Sequence, residues 1–260
     1  MDGLCLRSKY LSSGLVNSAP CVIWIVEADL SKARQISSEI PQILDVINPG
    51  DFRAEGSLKG FDFFQNFILN TAESENYLGP AAAGRRCWVI PHHHCNVKRY
   101  VLPEDRVARP RTVGYLGQKA HLHDADAIEA TVQKLGMEFR CFDDTDLKGY
   151  ESMDIGIAWT RRDQQRDETR SNIKLVNFGS HGIPSVVCDY VSYRAVNDAI
   201  GAPVGLVAGT LSDFQDQLAE LVKNEALRRT LAASQSKVFS DYGIKSIAGQ
   251  YNAMLSQIRP

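Results

Sequence analysis

The sequence predicts an α/β protein of two lobes, each a parallel sheet with crossover helices, the lobes facing across a cleft. Three observations carry that expectation. Short apolar runs alternate with stretches of helical period, the pattern of strand–helix–strand units. A run such as CVIWIV at 21–26 is apolar throughout, as in a strand buried on both faces. Between 91 and 111 no hydrophobic period survives, and three prolines interrupt a basic stretch that reads as a linker lying over the cleft.

In the first lobe, Cys21–Ala28 is a strand, and Asp29 and Ser31 offer helix-capping oxygens before KARQISSEI, which stops at Pro41. Gln42–Ile47 is the next strand, halted by the turn Asn48-Pro49-Gly50. Phe61–Ala72 reads as a helix running into the strand FILNT, and Cys87–Ile90 is a short strand ended by Pro91. In the second lobe Thr112–Leu116 is a strand, followed by a helix from about Asp124 with Ile128, Val132 and Leu135 on one face. Met137–Phe142 and Asp154–Trp159 are strands. A helix from Ser171 carries Leu175 and Phe178 inward and stops at Gly182 before Pro184. Pro184–Asp189 and Val204–Ala208 are further strands. Thr210 caps a helix with Asp213 in its first turn, and Ile244, Ile247, Tyr251, Leu255 and Ile258 mark the last helix. The expected division is a first lobe over 1–95, a linker over 96–111, a second lobe over 112–245, and a C-terminal helix over 246–260 packing back on the first lobe.

Composition excludes several classes. Lys plus Arg number 29 and Asp plus Glu 31, a formal charge of −2, so the chain lacks the net basic face that nucleic-acid binding demands. CVIWIV is the longest apolar run, far below the roughly twenty residues that cross a bilayer. The N-terminus is too often interrupted by polar residues for a signal peptide. The six cysteines form no CxxC pair and no regular spacing, which points to a reducing, cytoplasmic setting.

The strongest chemical signal lies in ETRSNIKLVNFGSHGIPSVVCD at 168–189. Ser171 and Asn172 stand where a helix begins, just after a strand, and Arg170 and Lys174 add full positive charge to the helix dipole. A diphosphate fits such an end. The alternative is an ordinary capped surface helix with solvated cations. Gly117-Gln118-Lys119 follows the first strand of the second lobe and could meet the same anion, though it is neither GxGxxG nor a Walker loop. In the run His92-His93-His94-Cys95, alternation lets only His92 and His94 share one ion, and a zinc site would need distant ligands such as His121 or His123. No metal is expected. A histidine at the cleft serves better as a hydrogen bonder or a base. Asp143, Asp144 and Asp146 read as a solvated turn, and 160–170 as an exposed loop. Tyr190 and Tyr193 either stack on a base or cover the core.

Taken together, Ile90-Pro91-His92-His93, the strand Val113–Gly117 (VGYLG), Asp154–Trp159 (DIGIAW) and RSNIKLVNFGSHGIPSVV at 170–187 resemble glycosyltransferases of the two-Rossmann-lobe, or GT-B, architecture. QILDVINP resembles a first-lobe strand of several such enzymes. The resemblance spans about 20–258 and is most specific over 154–189, with a first lobe shorter than usual. It implies that Arg170, Ser171, Asn172 and Lys174 contact the donor diphosphate or ribose. It places Gly117, Gln118 and Lys119 under the phosphates, Tyr193 beside the sugar nucleotide, and His92 and His93 between acceptor and donor lobes. His93 is then the candidate base, with Asp45 or Asp51 as alternatives. Many retaining members carry two glutamates eight positions apart ahead of the Gly-Ile-Pro turn. Counted back from Gly182, Asn177 holds the second place, and so joins the expected substrate-binding residues, and Thr169 the first, with Glu168 adjacent.

The implied activity moves a sugar from a nucleoside diphosphate sugar to an acceptor hydroxyl in polysaccharide or glycan synthesis. It needs no metal and no cofactor beyond the donor itself. The acceptor stays open among glycan, lipid-linked and small-molecule classes, as do self-association and peripheral contact with the inner face of a membrane. Two other readings remain: a non-catalytic nucleotide-sugar-binding or assembly partner with a degenerate GT-B fold, and a different doubly wound α/β enzyme such as a sugar-phosphate epimerase of the same two-lobe type.

Overall fold

The computed structural model describes residues 22–25, 40–46, 64–78, 84–143, 147–160 and 170–258. The chain divides into two compact units, one of Met1–Ile90 with Gly249–Pro260 and one of Pro91–Ala248.

The first unit holds a four-stranded parallel sheet in the order β1-β2-β3-β4, formed by Val22–Ile25, Gln42–Val46, Asn66–Leu69 and Arg86–Val89. Its two inner strands are buried at every position, which explains their lack of polar alternation. Strand β4 ends the described sheet, and its outer residues Arg86 and Val89 are exposed. The helix expected ahead of FILNT is absent from its described part: Phe64 and Gln65 have no regular structure and strand pairing starts at Asn66. Helix α1 (Ser74–Leu78) joins β3 to β4. The expected helix after Ser31 and the turn at Asn48 lie outside the described residues.

The second unit is a five-stranded parallel sheet in the order β6-β5-β7-β8-β9, from Glu138–Phe142, Thr112–Leu116, Ile155–Ala158, Ser185–Cys188 and Leu206–Ala208. Helix α2 (Glu104–Ala108) precedes β5, and α3 (Ala125–Lys134) links β5 to β6. Then α4 (Ile173–His181) links β7 to β8, and α5 (Val191–Ile200) links β8 to β9. The chain continues through α6 (Leu211–Lys223), α7 (Glu225–Ala232), α8 (Gln235–Asp241) and α9 (Ile244–Ile258).

Side chains alternate along β7. Gly156 faces α4, where a Cβ would fall 2.5 Å from the Phe178 ring, while Trp159 packs on Phe214 of α6 with centroids 4.8 Å apart. Its register partner Gly114 admits Met153 in the same way. Helix α4 ends as its sequence foretells. Gly182 takes φ +68°, its N–H bonds the Gly179 carbonyl, and the Ile183 N–H bonds that of Phe178. Thr210 and Asp213 form a reciprocal capping box on α6.

The stretch expected as a linker belongs to the second unit. Residues 91–102 run along α4 and are pinned by asparagines. The Cys95 N–H donates to Asn177 Oδ1 at 2.7 Å, Asn96 Nδ2 donates to the Ser180 carbonyl at 2.8 Å, and the Leu102 N–H to that of His181 at 2.8 Å. Leu102 and Val107 are buried in its core. Hydrogen bonds rather than an apolar stripe hold this segment, so hydrophobic period could not reveal it. Helix α9 lies with the first unit from Gly249 onward. There the Tyr251 hydroxyl donates to Asp45 Oδ2 at 2.7 Å and Arg86 donates to the Gln257 carbonyl at 3.0 Å.

Candidate functional site

In the second unit the strand order reverses between β5 and β7. The chain leaves β5 through α3 and leaves β7 through α4, and open parallel sheets take their ligands at the carboxyl ends of strands beside such a reversal. The first turn of α4 stands on this rim.

Gly117 ends β5 at φ +140°, a backbone conformation that favours glycine, and a Cβ there would press on the Tyr115 ring at 3.1 Å. Lys174, in the first turn of α4, sets its ammonium 4.2 Å from the centroid of the same ring. That contact ties the cation to the end of β5. Arg170 is half-buried, and its charge acts on Tyr190 and Tyr193, opposing the rise that burial imposes on both phenols. The Tyr190 hydroxyl is bonded to that of Thr160, at the end of β7.

Asn172 is the N-cap of α4, yet its amide turns away from the helix end. Its Oδ1 accepts the His92 N–H at 3.1 Å and its Nδ2 donates to the His92 carbonyl at 3.4 Å. Ser171 Oγ lies 2.5 Å from His92 Nδ1 and accepts the Ile173 N–H at 3.2 Å. Burial first, and neighbouring His93 second, bring the His92 imidazole down to about 4, so it is neutral at ordinary pH. The structure thus gathers His92, Arg170, Ser171, Asn172 and Lys174 around one helix end carrying two side-chain cations and the positive pole of the α4 dipole.

Other candidates stand elsewhere. Lys119 pairs with Glu129 of α3 at 2.6 Å on an exposed surface, and Gln118 beside it is also exposed. Asn177 is buried in α4, where its amide donates to the Tyr150 hydroxyl at 3.0 Å and accepts the Cys95 N–H. Tyr193 is 3% exposed within the hydrophobic core, 5.1 Å from the Tyr190 ring. Both were expected at the donor; protein encloses them instead. Core packing claims the tyrosine and a polar bridge claims the asparagine, partners that a sequence window does not contain.

His93 is exposed, and its Nδ1 bonds the His94 carbonyl at 2.8 Å. A carbonyl only accepts, so Nδ1 carries the proton and the neutral ring keeps a bare Nε2. Asp45 is buried in the first unit under Tyr251, its carboxyl raised by burial. Asp51, Glu168 and Thr169 lie outside the described residues, as do Asp144 and Asp146 and most of the 160–170 loop. The described residues hold no group of three His, Cys, Asp or Glu side chains placed to share a metal ion. None of their helices is long and apolar enough to cross a membrane. Sequence reasoning missed Thr160; its position at the carboxyl end of β7 is the signal that marks it.

No protein-family model matches the chain, and no curated protein does. Solved structures do. Sucrose-phosphate synthase from Thermosynechococcus elongatus superposes with a TM-score of 0.61 at 14% identity, covering 88% of this chain and 70% of that one. HepE of Anabaena, in complex with UDP and glucose, gives 0.60 at 14% identity, with 87% and 79% covered. The accessory secretory protein 1, 2 and 3 structure of Streptococcus pneumoniae gives 0.59 at 12% identity, with 91% of this chain but only 53% of that one. The fold is therefore that of the GT-B glycosyltransferases, two α/β units with parallel sheets.

Proposed function

We propose that this chain binds a nucleoside diphosphate sugar at the first turn of α4 and transfers the sugar to an acceptor hydroxyl. The observation that carries the reading is the pair of cations, Arg170 and Lys174, flanking a helix N-terminus on the rim where the strand order of the second unit reverses. Support comes from the shared fold, which HepE uses in its complex with UDP and glucose.

In the proposed reaction the acceptor oxygen forms a bond to the anomeric carbon as that carbon's bond to the diphosphate oxygen breaks. Negative charge grows on the departing diphosphate, and Arg170, Lys174 and the α4 dipole stabilise it where it develops. These fixed charges do the work for which other transferases employ a divalent ion. His93 takes the acceptor proton on its bare Nε2, with the His94 carbonyl holding the tautomer.

One observation favours a second reading, a nucleotide-sugar-binding partner without transfer. Asn177, at the place of the second glutamate of retaining relatives, is spent on Cys95 and Tyr150 inside the fold. A thermal-shift screen against UDP-, GDP-, dTDP- and CMP-sugars tests the first claim, because a ligand of the native state raises its melting temperature. Stabilisation by none of the four overturns the binding site. Stabilisation without nucleotide release, over a panel of glycan, lipid-linked and small-molecule acceptors, selects the non-catalytic reading.

A further inference from the structure

His94 has both ring nitrogens engaged by backbone groups of fixed polarity. Its Nε2 lies 3.0 Å from the Phe239 carbonyl, which only accepts, and its Nδ1 receives the Asn96 N–H at 3.2 Å. Two backbone groups therefore impose one neutral tautomer, with the proton on Nε2. His94 is 3% exposed, its ring packed 4.7 Å from the Phe239 ring, and its backbone N–H donates to the Tyr242 carbonyl.

Asn96, whose N–H the imidazole reads, is the hub of the 91–102 segment. Its Nδ2 donates to the carbonyls of Tyr100 at 2.7 Å and Ser180 at 2.8 Å, and its Oδ1 accepts the Tyr100 N–H at 2.8 Å. A proton added to Nδ1 would face the Asn96 N–H head-on, leaving a donor opposite a donor in a buried place.

Burial gives that proton little welcome, and the neighbouring His93 adds to the cost. Arg99 lies over the other partner of the stack, its guanidinium 5.1 Å from the Phe239 ring centroid. His93 precedes His94 in the chain, and His181 of α4 interacts with it electrostatically. From the end of α8 come the Asp241 carboxylate and the buried Tyr242 phenol. The 3-10 turn Leu147–Ser152 brings Glu151, whose charge acts on His181. His181 differs from His94: its Nδ1 bonds the Asn177 carbonyl at 2.7 Å, so protonation at Nε2 keeps that bond.

We propose that His94 is a proton-operated latch, whose protonation at Nδ1 expels the Asn96 N–H and lets residues 93–102 lift from α4. The neutral ring closes the latch and the charged ring opens it. Burial, which depresses the imidazole, keeps the latch shut at neutral pH and moves its opening below the ordinary histidine value. The same segment begins at His92 on Ser171, so opening also loosens the first turn of α4. The latch stands whether or not a nucleotide binds there.

Amide hydrogen exchange on the full chain, read as protection factors from pH 7 to about 5, tests it. The expected result is a fall at Asn96, Tyr100 and Leu102 that exceeds, by about tenfold or more, whatever fall in global stability brings at Val186 and Val187 of β8. In His94→Gln, where the side-chain NH2 replaces the Nε2–H without a titrating group, that excess disappears. No such excess in the native chain, or an equal one in His94→Gln, overturns the latch. Should the variant not fold, the nitrogen resonances of His94 in the native chain decide. Nδ1 protonating in step with lost protection supports the latch, and Nδ1 protonating with protection intact overturns it.

Discussion

Asp154 holds Arg106 and the entry to β5 with one carboxylate. Its Oδ1 accepts the Arg106 Nε–H at 2.6 Å, while its Oδ2 accepts the backbone N–H groups of Arg111 at 2.6 Å and Thr112 at 2.9 Å. The carboxylate is nearly buried, so hydrogen bonds within the protein rather than water satisfy it. Asp154→Ala leaves the two backbone donors without their acceptor and takes the carboxylate from Arg106, whose Nη1 keeps the Tyr100 hydroxyl and the Glu151 carbonyl, at a cost of about 2–4 kcal/mol. Urea unfolding measures this, and a change below about 1 kcal/mol would contradict the account.

Arg228 plays the converse part, a buried cation that donates to four backbone carbonyls. It donates to Val107 and Ala108 at the end of α2 and to Leu221 and Val222 at the end of α6. Both helices thereby have their C-terminal oxygens covered and their dipoles met by a positive charge. Arg228→Met keeps the length and removes the donors. We expect a loss of roughly 3 kcal/mol in the same unfolding experiment, with Arg228→Lys recovering only part of it because an ammonium lacks the planar fork.

The proposed nucleoside diphosphate site makes the two cations of the α4 rim testable. Each of Arg170→Ala and Lys174→Ala should weaken binding by about 1–3 kcal/mol, or roughly 5- to 150-fold in Kd, by calorimetry. Lys119→Ala should leave it within about twofold, since Lys119 is committed to Glu129 on α3. Unaltered affinity in both rim variants removes the proposed site.

Acid should destabilise the protein through His92. The folded imidazole is neutral down to about 4, whereas the unfolded one takes a proton near 6.5, so the unfolded state binds more protons in between. Stability is therefore full above about pH 6.5, falls as pH drops through that window, and levels off below pH 4, at a total cost of order 3 kcal/mol. His92→Asn offers Ser171 an amide at the Nδ1 position without a titrating group and should flatten that part of the profile. A variant profile parallel to the native one would show that His92 carries none of it.

Much of the second unit was legible in its residues. TVGYL, DIGIAW and PSVV are apolar runs whose burial on both faces follows from covering helices, and they became β5, β7 and β8 within a residue or two of the expected bounds. Gly182 stopped α4 and Thr210 started α6 because left-handed glycine and a capping hydroxyl are local chemistry. The charge at the head of α4 was equally visible, since Arg170 and Lys174 stand within four residues of one another.

What only the tertiary structure decided is where the polar side chains spend their hydrogen bonds. Asn172 serves a histidine 80 positions away and Asn177 a backbone group 82 away, while the phenol of Tyr193 vanished into the core. Apolar periodicity reports which face of an element is buried, because burial repeats with the geometry of that element. A single directional hydrogen bond between distant residues leaves no such period. The sequence therefore determined the sheets, the helix ends and the charge on the rim, and folding alone determined which polar side chains around that rim are spent on partners inside the protein.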